Sequence, residues 1–213
     1  MKKTGILIGG LAVLGVAVSL FAWLSSGPSN SVEELIRSED PNQRGAAAAR
    51  LGASADAEAT RTLRELARDK NAWVAIKAVR ALGRQKTEDR RDALGSMVND
   101  KALGEPARAE AAATLGSFEQ ANPVVLTETM AKDPSPRVRA GAAKGLVRLR
   151  KPETLPELVK ALSDPDTRVR AYAITAIHHM IARRYNFDPR APVQTQQREI
   201  ERIKAYLRKC GVL

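Results

Sequence analysis

The sequence is short of the residues that most catalytic and redox chemistries need. It holds one cysteine, Cys210, which excludes an internal disulfide and any cysteine-built zinc or iron–sulfur site. Its two histidines, His178 and His179, are adjacent, and neighbours on a helix point about 100° apart, so they do not converge on one ligand. Aromatics are 4% of the residues, which argues against a β-sandwich or barrel core. No glycine-rich phosphate loop follows a strand, and no Gly-x-Ser-x-Gly elbow occurs. The expectation is no catalytic set, no metal, no cofactor and no small-molecule substrate.

What is present is helix-forming. Alanine, arginine and leucine dominate, and 213 residues suffice for one well-buried domain. The net charge of +11 is unevenly placed: residues 137–213 carry 17 Lys+Arg against 7 Asp+Glu, whereas residues 4–136 come to −1. So lopsided a field predicts an anionic neighbour.

Near the start, Lys2 and Lys3 precede an uncharged run from Gly5 to Leu24. That length spans a bilayer core as a helix, and Phe21 and Trp23 sit where aromatics meet headgroups. The exit, Ala22-Trp23-Leu24-Ser25-Ser26-Gly27-Pro28, lacks a good small-x-small cleavage site. Residues 1–24 therefore read as an uncleaved membrane anchor, with a cleaved signal peptide as the alternative. The lysines stay on the cytoplasmic side, which places the rest on the periplasmic side of a bacterial inner membrane; release to the periplasm is the alternative. A polar linker covers 25–31, and Ser31 with Glu34 forms a capping box for the next helix.

The remainder repeats itself. Apolar anchors at Leu51, Leu82, Leu115, Leu146 and Ile177 are spaced 31, 33, 31 and 31, each with small or apolar residues three and four positions earlier. Asp40, Asp69, Asp100, Asp133 and Asp164 precede them, and Arg44, Arg108, Arg139 and Arg170 stand seven positions before their anchors, with Ala75 the exception. A fixed period near 31 with helical patterning predicts a solenoid of five helix pairs over residues 32–183. Residues 184–213 depart from it. A proline-containing loop, 185–192, leads to a helix from about Thr195 to Lys209 whose apolar face suits a terminal cap.

The run Asp-Pro-x-x-x-Val-Arg-x-x-Ala-Ala-x-x-Leu, nearly complete in Asp133–Leu146 and Asp164–Ile177, resembles the HEAT family, in particular the short bacterial repeats of phycobilisome lyases. The resemblance implies an all-α, right-handed α-solenoid of about five HEAT-like helix pairs with a C-terminal capping helix, preceded by the membrane or signal helix. It implies an interunit ladder with Asp133 beside Arg139 and Asp164 beside Arg170. Metal-dependent HEAT-like hydroxylases use His-Glu pairs, which are missing here, and DNA glycosylases of this fold would find no nucleic acid outside the cell. The resemblance also implies that the second helix of each unit lines the concave side.

On that helix a 3.6-residue period turns four positions outward: nine, five and two before the anchor and two after it. They are Trp73, Lys77, Arg80 and Arg84 in unit two; Arg137, Gly141, Lys144 and Arg148 in unit four; Arg168, Tyr172, Thr175 and His179 in unit five. Unit one supplies only Asn42 and alanines, and unit three supplies Pro106, Glu110, Ala113 and Ser117. The candidate partner-binding residues are Trp73, Lys77, Arg80, Arg84, Arg137, Lys144, Arg148, Arg168 and Tyr172, types enriched at binding hot spots. The expected function is a membrane-tethered, non-catalytic scaffold holding an acidic or extended segment of a protein partner. Binding of anionic lipid or a cell-envelope polyanion is the alternative, and a lyase or isomerase of the phycobilisome type a remote one.

Overall fold

The computed structural model describes residues 31–54, 56–181 and 183–213, which form eleven α-helices and one 3-10 turn and, among the described residues, no strand. The expected anchor, residues 1–24, and most of its linker lie outside them. No described helix is long and apolar enough to cross a membrane.

The chain enters helix α1 (Val32–Arg37) through the expected capping box: Ser31 Oγ accepts from Glu34 N–H at 3.2 Å, and Glu34 Oε2 from Ser31 N–H at 3.0 Å. Asp40 then caps α2 (Pro41–Leu51), with Pro41 in the first turn, where its missing N–H costs nothing. Four more pairs follow: α3 (Ala57–Leu66) with α4 (Ala72–Arg84), α5 (Arg90–Asn99) with α6 (Glu105–Leu115), α7 (Pro123–Lys132) with α8 (Pro136–Leu149), and α9 (Leu155–Ala161) with α10 (Thr167–Met180). A 3-10 turn at Pro152–Thr154 leads into α9. The last helix, α11 (Val193–Lys209), begins two residues ahead of its expected start.

The even-numbered helices α2 to α10 stack in sequence as one layer; the odd-numbered ones form the other and touch one another less. The anchors explain the stacking. Leu82, Leu115, Leu146 and Ile177 are at most 3% exposed, and each such burial contributes about 1.5–3 kcal/mol. Leu51, in the first unit, is only half-buried. The small or apolar residues three and four positions before each anchor are all buried, which lets backbones approach. The glycines that follow three anchors make room for this approach: a Cβ on Gly52 would lie 2.9 Å from that of Ala81, and one on Gly116 would overlap the backbone of Gly145. The even layer is the tighter one, so neighbouring units approach most closely along it.

The polar ladder is real but offset from its expected register. Arg139 does not pair with the Asp133 side chain; its Nε and Nη2 donate to Asp164 Oδ2 and Oδ1, at 2.9 and 3.0 Å, while Nη1 donates to the Asp133 carbonyl at 3.0 Å. Arg44 pairs likewise with Asp69, and Arg108 with Asp133, so each rung joins one unit to the next across 25 residues. Asp164 is thereby occupied, and Arg170 does not reach it through the side chain. Arg170 donates instead to the Pro189 carbonyl, from Nε at 3.0 Å and Nη2 at 2.5 Å, and to the Asp164 carbonyl at 2.7 Å. The 185–192 loop thus replaces a sixth aspartate. Tyr185 and Phe187 bury their rings in the core, and Gln196 Nε2 holds the carbonyls of Asp188, Pro189 and Ala191. Unit two has Ala75 where the arginine should stand, and Asp100 is met instead by Arg68 at 2.6 Å, on the surface.

Candidate functional site

A groove of about 270 Å³ runs along the even layer over α6, α8 and α10. Its floor is small because these helices touch backbone to backbone. A Cβ on Gly141 would lie 2.8 Å from the Ala109 Cα, and one on Gly145 would meet the Ala112 carbonyl at 2.5 Å. Gly141 and Ala113, expected on the outward stripe, are in consequence buried. The helical period fixes where they point on their own helix, and the nearness of the adjoining helix then covers them.

The walls are charged. Arg137 and Lys144 from α8 and Arg168 and Tyr172 from α10 face the groove together. Among the described residues Arg137 and Lys144 make no ion pair. Arg168 is held by Asp166, from Nη2 at 2.9 Å and Nε at 3.1 Å. Asp166 also caps α10 by accepting from the Arg168 and Val169 N–H groups. The Arg168 side-chain bond, with help from the backbone, outweighs burial and holds the Asp166 carboxyl below the usual range. It therefore stays ionised and keeps Arg168 in position.

One carboxylate lines the groove, Glu110 of α6, and it is clamped. Arg80 of α4 donates from Nε to its Oε1 at 2.7 Å and from Nη2 to its Oε2 at 3.3 Å. This bidentate pair neutralises the groove's acid from outside it. Arg80 thus acts through Glu110. Arg148 is exposed, but its Nη1 donates to the Ala113 carbonyl at 2.8 Å and ties α8 to α6. Arg84 is exposed and lies outside the groove. Trp73 and Lys77 lie one helix further on, with the Lys77 Nζ 4.3 Å from the indole centroid. The Trp73 ring rests across Gly45 of α2 and remains 44% exposed.

Of the nine residues expected to bind a partner, four meet in the groove, Arg80 tunes it, Trp73 and Lys77 flank it, Arg148 ties α8 to α6, and Arg84 lies outside it. Ile76, Ala109 and Ala140 also line it. Their apolar character was visible in the sequence, but it reads equally as core. The arrangement can bind carboxylates or phosphates and offers an aromatic surface beside them.

The family profile described as HEAT repeats matches residues 30–116 and 123–191. No curated protein sequence matches the chain. Among solved structures, one similar chain belongs to the complex of CpcE and CpcF of phycocyanin lyase from Nostoc sp. PCC7120. The identity is 20%, the TM-score 0.51, and 74% of this chain and 68% of that one are covered. An engineered protein is similar at 21% identity and a TM-score of 0.41, over 70% of this chain and 77% of that one. At such identities the likeness is one of fold.

Proposed function

The chain belongs to the HEAT-repeat family, and from that premise we propose that it is a non-catalytic scaffold whose groove holds an acidic, extended segment of a partner protein. The observation that carries this is the charge balance inside the groove. Arg137, Lys144 and Arg168 point in from consecutive units, while the single lining carboxylate, Glu110, is cancelled by Arg80. Arg168 is shared with Asp166, whereas Arg137 and Lys144 have no ion-pair partner among the described residues, and these two cations beside a tyrosine favour an anionic ligand with apolar side chains, which an acidic peptide supplies. The similar solenoid of phycocyanin lyase stands in a two-chain complex, which supports a protein as the partner. The uncharged run Gly5–Leu24 behind Lys2 and Lys3 supports tethering to the inner membrane, with the solenoid on the periplasmic side.

The test is site-specific photo-crosslinking from position 172 of the full chain in its native membrane. One protein adduct is expected, lost when Arg137, Lys144 and Arg168 are changed together to glutamate and retained in Arg84→Glu. Adducts confined to lipid would favour a membrane-surface role, and an adduct unaffected by the triple change would refute the groove.

A further inference from the structure

The groove has a repeat as well as a charge. The second residues of four successive even-numbered helices form a row: Trp73 on α4, Pro106 on α6, Arg137 on α8 and Arg168 on α10. Pro106, Arg137 and Arg168 line the groove, and Trp73 lies one helix beyond with its ring exposed. Along the row the chemistry runs from indole through a proline ring to two guanidinium groups.

Packed helices lie about 8–10 Å apart, so the row offers one contact at about that interval. An extended β-strand cannot use it in register, because positions three apart, about 10 Å along the strand, project from opposite faces. A polyproline II segment can. It has three residues per turn and rises about 3.1 Å per residue, so every third side chain returns to the same face after about 9 Å. Its unpaired backbone groups need water, and an open groove leaves them that.

Resting on the function proposed above, we infer that the groove reads a polyproline II segment bearing two carboxylates three positions apart. One carboxylate engages Arg137 and the other Arg168. An apolar side chain about six positions away from the first, on the side opposite the second, packs on Trp73. The two arginines set the register: Arg137 offers a planar guanidinium to a bidentate carboxylate, and Arg168, whose Nε and Nη2 already donate to Asp166, offers its remaining Nη1 side. Arg168, fixed by Asp166, is the better ordered of the two.

The experiment uses the full chain in nanodiscs of zwitterionic lipid and fluorescein-labelled peptides read by polarisation. The matched peptide carries Trp, then Glu-Pro-Pro-Glu at the stated distance; its controls have the same composition with the glutamates two or four positions apart. The matched peptide is expected to bind at least about tenfold tighter than either control, the loss of one charge-assisted contact. Arg168→Glu should abolish that preference, and changing the second peptide glutamate to lysine should restore binding to this variant. Trp73→Ala should weaken the matched peptide and leave one without its Trp unchanged. Equal affinity at all spacings, with binding still lost on charge reversal, overturns the register and leaves the acidic-partner reading standing. Failure of the matched peptide to bind also overturns the register, and the crosslinking from position 172 then decides the groove independently.

Discussion

Arg139 and Asp164 face each other across the boundary between the fourth and fifth units in a two-pronged pair, with side chains only 12% and 10% exposed. The same arginine also ties down the Asp133 carbonyl that precedes its own helix. One side chain therefore orders the turn within its unit and the joint to the next.

Arg139→Ala should lower stability by about 3 kcal/mol, since it leaves a nearly buried carboxylate without its cation. Arg139→Lys should recover only part of this, because an ammonium cannot make the fork. Urea denaturation measures the loss, and partner or peptide affinity measured on the folded protein should not change. A loss of affinity at unchanged stability would place Arg139 in the binding site instead.

The ladder position of unit two supplies a contrast. Arg68→Ala should cost less than about 1 kcal/mol, because its pair with Asp100 is solvent-exposed on the arginine side. Arg108→Ala, whose pair with Asp133 is 5% and 4% exposed, should cost several-fold more. Equal midpoints for the two variants would remove the distinction between surface and ladder pairs.

Arg80→Ala should weaken an acidic ligand even though Arg80 does not line the groove. The change releases the Glu110 carboxylate to repel the ligand, and Arg80→Ala with Glu110→Gln should restore affinity. Titration at low and moderate salt measures both, and affinity should fall with salt because exposed charges are screened over about 8 Å at physiological ionic strength.

His178 sets a pH dependence. Its Nε2 accepts a hydrogen bond from the Tyr185 N–H at 3.1 Å, which requires an unprotonated nitrogen. Burial first, then the nearby Arg184 and His179, push its pKa below the ordinary 6.5. The unfolded chain therefore takes up this proton at a higher pH than the folded one does. The contribution is fully present above pH 6.5 and is lost as pH falls below it. His178→Gln should flatten the melting temperature over that window, which thermal denaturation between pH 5 and 8 would reveal.

Two glycines should respond in opposite directions. Gly141→Ala drives a methyl into the Ala109 backbone and should destabilise by about 1–3 kcal/mol, through overpacking between α6 and α8. Gly95, inside α5, has open space around it, so Gly95→Ala should stabilise by about 0.5–1 kcal/mol. Circular dichroism melts of the two variants suffice to check this.

The five pairs and the cap were legible because each rests on local signals: the anchor spacing, the Ser31 box and the apolar face of the last helix. What lay between units was less so. A helical period gives a residue's direction on its own helix and says nothing of how near the next helix comes, which is why the period points Gly141 and Ala113 outward while the fold buries them. The same limit hid the Arg80–Glu110 clamp, which joins residues 30 apart on neighbouring helices. The ladder residues were recognised but paired within units, because the distance that matters, 25 residues forward, runs against sequence proximity.

The alanine at position 75 also changes how two neighbouring units are braced. At the joint between units two and three the buried arginine rung is replaced by a surface pair, and the longer 33-residue spacing falls at the same place. The side-chain bracing there falls to two pairs open to water on the arginine side, Arg68 with Asp100 and Arg80 with Glu110, and this joint lies between Trp73 and the two arginines of the groove. A ligand spanning it would act as a splint across a joint whose ion pairs water and salt can reach.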